Sequence, residues 1–234
     1  MPKMNSSEVE VAEANGSTIS QVSRRKFLGY AGVTAGLTGL LFGASSCNKD
    51  DDDDLGVNLG SGDIGILNYA YALEQLEAAF YTQVILTPYT GISANETLLL
   101  TDIRNHEIAH REFFKNALGN NAIPSLEVNF TSINFASRDS VLGTAKAFED
   151  LGVSAYNGAG SLIALADYLV LAGKIVSVEA RHAALIRDLI SNGTFADNTV
   201  IDANGLDKSR TPKEVLAIAG TYIKTKINAN NLPS

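Results

Sequence analysis

The chain has 234 residues, of which 45% are hydrophobic, and its formal net charge at pH 7 is −8. This acidity, with no basic cluster outside the N-terminal region, argues against nucleic-acid binding. Its single cysteine excludes an internal disulfide and leaves no thiol pair for redox chemistry.

The N-terminal region has the features of an export signal. Arg24 and Arg25 precede the apolar, glycine-rich stretch 27–43, and small residues lead to Cys47. This order resembles a twin-arginine signal that ends in a lipoprotein cleavage site. We therefore predict that residues 1–47 are a twin-arginine-type lipoprotein signal peptide and that the cysteine is lipidated. An uncleaved signal anchor and a soluble periplasmic product are the alternatives.

An acidic segment follows the cysteine. Five consecutive aspartates, Asp50 to Asp54, cannot pack against one another, so we predict that residues 48–62 form a flexible, solvated tether. The lysine and acidic residues after Cys47 also resemble the surface-export signal of some outer-membrane lipoproteins. We expect an exported protein, held by its lipid in the periplasm, the outer membrane or at the cell surface.

Apolar residues recur at three- and four-residue steps in four long segments of the remaining chain, which predicts four amphipathic helices. Their predicted bounds are residues 63–86, 93–118, 139–165 and 167–191. Asp63 is the expected cap of the first helix. The connection 120–138 is too long for a tight turn. The sequence Thr211-Pro212 starts a short fifth helix, predicted over residues 215–227.

Two copies of Glu-x-x-His occur in a chain with three histidines: Glu107 with His110, and Glu179 with His182. On a helix, residues three apart lie on one face, so each pair can offer a carboxylate and an imidazole to one metal ion. Taken alone, the glutamates could be exposed helix carboxylates paired with nearby arginine or lysine. The positions within the apolar stripe favour metal ligands, because an unpaired polar group on an inward face is costly.

A second repeat precedes each pair. Glu74 is followed seven residues later by Tyr81, and Glu149 is followed seven residues later by Tyr156. Four carboxylates and two imidazoles on four helices suit a carboxylate-bridged pair of metal ions. Oxygen and imidazole ligands without thiolate favour iron or manganese over copper(I) or structural zinc.

These motifs resemble the ferritin-like superfamily. Glu-x6-Tyr followed by Glu-x-x-His is similar to the bacterioferritin and rubrerythrin pattern, and segments 73–81 and 178–184 resemble an exported ferritin-like domain family related to plant desiccation proteins. The resemblance implies an all-α, up-down four-helix bundle with one long crossover over residues 63–192. Residues 193–234 would form a loop and a short C-terminal fifth helix that packs on the bundle.

The resemblance also implies roles for individual residues. The two helix carboxylates would be terminal ligands, the carboxylates of the Glu-x-x-His pairs would bridge, and each imidazole would bind one metal: Glu74, Glu149, Glu107, Glu179, His110 and His182. Tyr81 and Tyr156 would lie beside the site. Glu77, one turn after Glu74, could replace it or be an additional ligand. His106 precedes Glu107 directly, so we expect it to point elsewhere, as a surface residue or an outer neighbour of the site.

The implied cofactor is two iron ions, with manganese as an alternative. The leading functional hypothesis is oxidation of ferrous iron, or consumption of oxygen or peroxide, by a lipid-anchored protein. A metal-free bundle that serves as a binding or stress-protective module is the main alternative, and the two differ in metal content. An oxygenase acting on an organic substrate would need an apolar pocket beside the metals. The expected partners are metal ions and the membrane, and a homo-oligomer is compatible with the sequence.

Overall fold

The structure is a computed structural model that describes residues 56–234. The predicted signal peptide, with Arg24, Arg25 and Cys47, lies outside the described residues, as does most of the predicted acidic tether.

Four long helices form two antiparallel pairs. They are α1 (Gly62–Leu86), α2 (Ala94–Leu118), α3 (Arg138–Gly160) and α4 (Ala166–Ile190). Short loops join α1 to α2 and α3 to α4, and the partners of each pair pack along each other. The long connection from α2 to α3 begins with a 3-10 turn, Gly119–Asn121. The predicted all-α four-helix bundle with a single long crossover is confirmed.

Local sequence signals set several helix ends. Ser93 caps α2 in a capping box with Glu96, in which each side chain binds the other residue's backbone N–H. Gly119, with a φ of 54°, ends the same helix in a conformation that glycine adopts without strain. Ser137 caps α3 by accepting a hydrogen bond from the Ser140 N–H.

Asp63 has a different role from the predicted one. Its carboxylate does not cap α1 but accepts hydrogen bonds from the N–H groups of Ala164 and Leu165, at 2.8 and 2.9 Å. These groups lie in the turn between α3 and α4, and α3 ends at Gly160 rather than at the predicted residue 165. An acidic side chain in the first turn of one helix therefore fixes the start of another.

The fifth helix, α5 (Pro212–Ala219), is shorter than predicted. Thr211 and Glu214 form the expected capping box, but the chain leaves the helix after Ala219. Ile223 instead pairs with Val128 of the crossover. The prediction of helix over residues 220–227 was wrong because backbone pairing with distant segments outweighs the local helical pattern there.

A short two-stranded parallel sheet, with two residues in each strand, joins the start of the domain to its C-terminal segment. Strand β1 (Val57–Asn58) pairs with β2 (Ile227–Asn228), and the next residue, Leu59, is fully buried. Residues 56–62, which we assigned to the flexible tether, are thus part of the folded domain. Within residues 56–234, no helix is both long and apolar enough to cross a membrane.

The crossover and the C-terminal segment cover one end of the bundle through aromatic contacts. The ring of Phe80 in α1 lies 5.1 Å from that of Phe148 in α3, and 6.0 Å from the rings of Phe130 and Phe135 in the crossover. Tyr222 packs edge-on against Phe148 at 4.8 Å. This aromatic cluster attaches the connecting segments to the helices.

Gly158 in α3 tests how closely the C-terminal segment packs against this helix. A Cβ atom at this position would lie 1.8 Å from the backbone oxygen of Arg210. Because a backbone cannot rotate away, we expect Gly158→Ala to lower the free energy of unfolding by about 1–3 kcal/mol in urea denaturation. Gly143, in the same helix, has no atom within 4 Å of its Cβ position. The control Gly143→Ala should be neutral or stabilising, and equal effects of the two changes would contradict the packing argument.

Candidate metal centre

The six predicted ligands converge in the middle of the bundle. Their ligand atoms form two groups, each within a span of 4.8 Å: Glu74, Glu107, His110 and Glu179 in the first, and Glu107, Glu149, Glu179 and His182 in the second. All four glutamates are fully buried, so none is an exposed carboxylate paired with a surface arginine or lysine. Glu107 and Glu179 belong to both groups, as bridging ligands would.

In the first group, the Nδ1 atom of His110 is the centre of the contacts. It lies 2.8 Å from Glu179 Oε1, 3.4 Å from Glu74 Oε2 and 3.7 Å from Glu107 Oε2. The closest carboxylate comes from α4, not from the histidine's own helix.

The second group repeats this arrangement. The Nδ1 atom of His182 lies 2.8 Å from Glu107 Oε1, 3.5 Å from Glu149 Oε2 and 3.6 Å from Glu179 Oε2. Each histidine is therefore nearest to the glutamate of the other Glu-x-x-His pair. Exchanging the pair α1 and α2 with the pair α3 and α4 converts one group into the other, so the site has approximate two-fold symmetry.

The two predicted tyrosines hold the terminal glutamates. The Tyr81 hydroxyl donates a 2.5 Å hydrogen bond to Glu149 Oε1, and the Tyr156 hydroxyl donates a short one to Glu74 Oε1. Burial and the neighbouring carboxylates raise the pKa of both tyrosines well above the usual value, so they stay protonated donors. One oxygen of each terminal glutamate is thus fixed, and the other faces the site.

The buried polar atoms at the centre fit a metal pair. Although each Nδ1 lies 2.8 Å from a carboxylate oxygen, the contact does not have the alignment of a hydrogen bond. Within residues 56–234, the following buried atoms of the six side chains have no hydrogen-bond partner: Glu74 Oε2, both Oε atoms of Glu107 and Glu179, Glu149 Oε2, and Nδ1 of His110 and His182. Buried polar atoms rarely lack a partner, and cations at these two positions would satisfy them.

Burial and charge shift the pKa values of this cluster. Burial raises the pKa of Glu107 to about 8 and that of Glu149 to about 7. Burial lowers the pKa of both imidazoles, but the surrounding carboxylates outweigh it and raise the pKa of His110 and His182 to about 12. In the metal-free protein, imidazolium groups therefore offset part of the buried negative charge.

Glu77 belongs to neither group of ligand atoms. It is buried, and burial together with the surrounding carboxylates raises its pKa well above the usual value. The space for its side chain comes from Gly152, whose Cβ position lies 3.2 Å from Glu77 Oε1. Gly152 follows Glu149 by the same three residues that separate Glu77 from Glu74. The absence of a side chain at Gly152 in α3 thus leaves room for the carboxyl group of Glu77 in α1.

The variant Glu77→Gln tests whether this group is needed for binding. Because Glu77 is outside both groups, we expect the variant to keep two metal ions per chain after loading, with affinity changed by less than about tenfold. Loss of one ion, measured by mass spectrometry, would instead make Glu77 a ligand.

His106 is an exposed residue and an outer neighbour of the site, as expected from the sequence. Its Nδ1 lies 2.9 Å from Nε2 of His182, and the planes of the two rings are nearly parallel, at an angle of 8°. It therefore does not point away from the centre but contacts the outer nitrogen of a predicted ligand. Such outer partners orient a ligating imidazole. Its position one turn before His110 on α2 was the available signal, but the contact crosses to α4.

One comparison with known proteins agrees with this geometry. Comparison with curated proteins gives no match. The family model of the ferritin-like domain matches residues 62–192, which is more than half of the chain and contains all six predicted ligands. On this match, and on four helices that bring two Glu-x-x-His pairs together, the chain belongs to the ferritin-like domain family.

Proposed function

We propose that the protein binds two iron ions, with manganese as the alternative, and oxidises ferrous iron with oxygen or peroxide as the electron acceptor. The observation that carries this proposal is the pair of interlocking ligand groups that share Glu107 and Glu179. Two bound ferrous ions would supply one electron each, enough to reduce dioxygen to hydrogen peroxide, or hydrogen peroxide to two waters, with two protons in either case.

The charges of the site support a pair of divalent cations. Ionised Glu74, Glu107, Glu149 and Glu179 carry four negative charges, which balance two divalent cations when both imidazoles are neutral. Carboxylate and imidazole ligands are the set that iron and manganese accept. Burial of all four carboxylates excludes bulk water from their vicinity.

The tyrosines and His106 contribute by positioning. Tyr81 and Tyr156 each hold one oxygen of a terminal glutamate, which leaves the second oxygen directed at the cluster. His106 contacts Nε2 of His182 and so favours the orientation in which Nδ1 faces the carboxylates. A site fixed in this way needs little reorganisation when it binds metal.

The test of the function is oxidation of ferrous iron after anaerobic loading. We expect ferric absorbance to appear on addition of oxygen or peroxide, faster than in buffer alone and in proportion to two irons per chain. A protein that holds two ions but does not accelerate oxidation would refute the oxidase function. A protein without stoichiometric metal would favour the binding or stress-protective module.

We also propose that the protein is exported and lipid-anchored, on the basis of the N-terminal sequence. In a host with a twin-arginine pathway, Arg24→Lys with Arg25→Lys should retain the full chain in the cytoplasm, and Cys47→Ala should release it from the membrane fraction. Lys26→Arg is the matched control and should not change either result. Normal export of the double variant would contradict the twin-arginine route.

A further inference from the structure

An apolar cavity lies within the bundle beside the metal centre. Side chains of all four long helices line it, among them Ala70, Phe114, Tyr156 and Ile175. The centre of a water-sized sphere can move within about 20 Å³ of this cavity. Half-buried Ala172 of α4 forms part of the wall nearest the surface.

The cavity is one helical turn from the ligands. Ala70 precedes Glu74 by four residues, and Ile175 precedes Glu179 by four residues. One turn rises about 5.4 Å along a helix, so the wall and the cluster are adjacent layers of the bundle. The ring of Tyr156 belongs to both layers, because it lines the cavity while its hydroxyl binds Glu74.

The opposite end of the cluster is packed differently. There, the ring of Tyr81 lies 5.1 Å from the ring of Phe80, which is itself part of the aromatic cluster of α1, α3 and the crossover. The approximate two-fold symmetry of the ligands thus does not extend to their surroundings. The apolar space lies beside Tyr156, while Tyr81 contacts Phe80 of the aromatic cluster.

The size and polarity of the cavity restrict its occupant. This space admits a diatomic molecule or a single large atom, whereas a long organic substrate does not fit without rearrangement. A buried water or peroxide needs two to four polar partners. The lining side chains are alkyl groups and aromatic rings, with three tyrosine hydroxyls, and the hydroxyl of Tyr156 is committed to Glu74. The wall therefore suits a small apolar molecule.

We propose that this cavity binds dioxygen and is the route by which dioxygen reaches the metal centre. The route rests on the proposed function, whereas binding of a small apolar gas to the cavity does not. Dioxygen, rather than peroxide, is then the acceptor that the surroundings of the centre favour.

Xenon tests the binding step in the metal-free protein, because it enters dry apolar cavities of this kind. We expect a saturable change of the ¹²⁹Xe NMR signal with the unmodified protein. Ala172→Leu, which extends a side chain into the cavity, should abolish it. Ala184→Leu, also half-buried on α4, faces a different cavity of about 230 Å³ and is the matched control that should keep the signal. Absence of xenon binding to the unmodified protein, or binding that Ala172→Leu leaves intact, would overturn the proposal.

Oxidation kinetics test the route. In iron-loaded protein, Ala172→Leu should slow oxidation by dioxygen at least about fivefold, while oxidation by hydrogen peroxide and the metal content stay unchanged. Equal slowing with both oxidants, or no slowing with dioxygen, would overturn it. If the unmodified protein binds xenon but no metal, the proposed function and the route fail, and the cavity is retained as a gas-binding site.

Discussion

Replacement of the two glutamates shared by both groups, Glu107→Gln with Glu179→Gln, is expected to reduce the metal content of the loaded protein from two ions per chain to none. Each of these side chains contributes to both groups of ligand atoms, so the double change removes charge from both positions. Loss of an outer hydrogen-bond partner weakens a metal site by roughly 10–100-fold, and loss of two shared ligands should exceed that. Mass spectrometry of the native protein measures the metal content directly.

The fold should survive this double change. Glutamine has nearly the same shape and volume as glutamate, so we expect the metal-free variant to keep the helical fold, which circular dichroism measures. Glu112→Gln, a change of an exposed carboxylate on α2, is the control and should keep both metals. Full metal retention in the double variant would contradict the assignment of Glu107 and Glu179.

The metal-free protein is expected to lose stability as the pH rises from about 5 to 9. The carboxyls of Glu107 and Glu149 have folded-state pKa values of about 8 and 7, above the ordinary 4.5, and both imidazoles have values of about 12, above the ordinary 6.5. Over this range, the folded protein holds protons that the unfolded chain releases, so rising pH favours unfolding. Urea denaturation should give a free energy of unfolding at least about 2 kcal/mol lower at pH 9 than at pH 5.

Metal loading should reverse this trend. A cation replaces the protons on His110 and His182, so binding at pH 7 should release at least two protons per chain and strengthen as the pH rises. Manganese is the suitable probe, because it avoids oxidation by air during the titration. A metal-free protein whose stability increases from pH 5 to 9 would show that the six side chains do not form the buried cluster described above.

The helical bundle and the convergence of the six proposed ligands could be predicted because both depend on periodic spacing. Glu107 and His110 are three residues apart on an inward face, and the seven-residue interval between Glu74 and Tyr81 recurs between Glu149 and Tyr156. Helix geometry converts such intervals directly into a common face. The structure brings these side chains together without any change in their predicted grouping.

Features that depend on contacts between distant segments could not be predicted in this way. Asp63 binds the turn before α4, and Ile223 leaves the predicted fifth helix to pair with Val128. His106 of α2 contacts His182 of α4. In each case the partner is far away in sequence, so no local interval identifies it, and tertiary contacts override the local tendency.

The repeated motif also could not predict the surroundings of the site. The repeated motif implies two equivalent halves, but Gly152 stands where the first half has Glu77, and the cavity lies on the side of Tyr156. Volume left between packed helices depends on all neighbouring side chains together, which a motif does not record.

The most direct test of the central claim is X-ray diffraction at the iron absorption edge from crystals of protein loaded with ferrous iron. We expect two anomalous peaks per chain, one bounded by Glu74, Glu107, His110 and Glu179, and the other bounded by Glu107, Glu149, Glu179 and His182. A single peak, or peaks only at the protein surface, would contradict a two-metal centre with shared carboxylates.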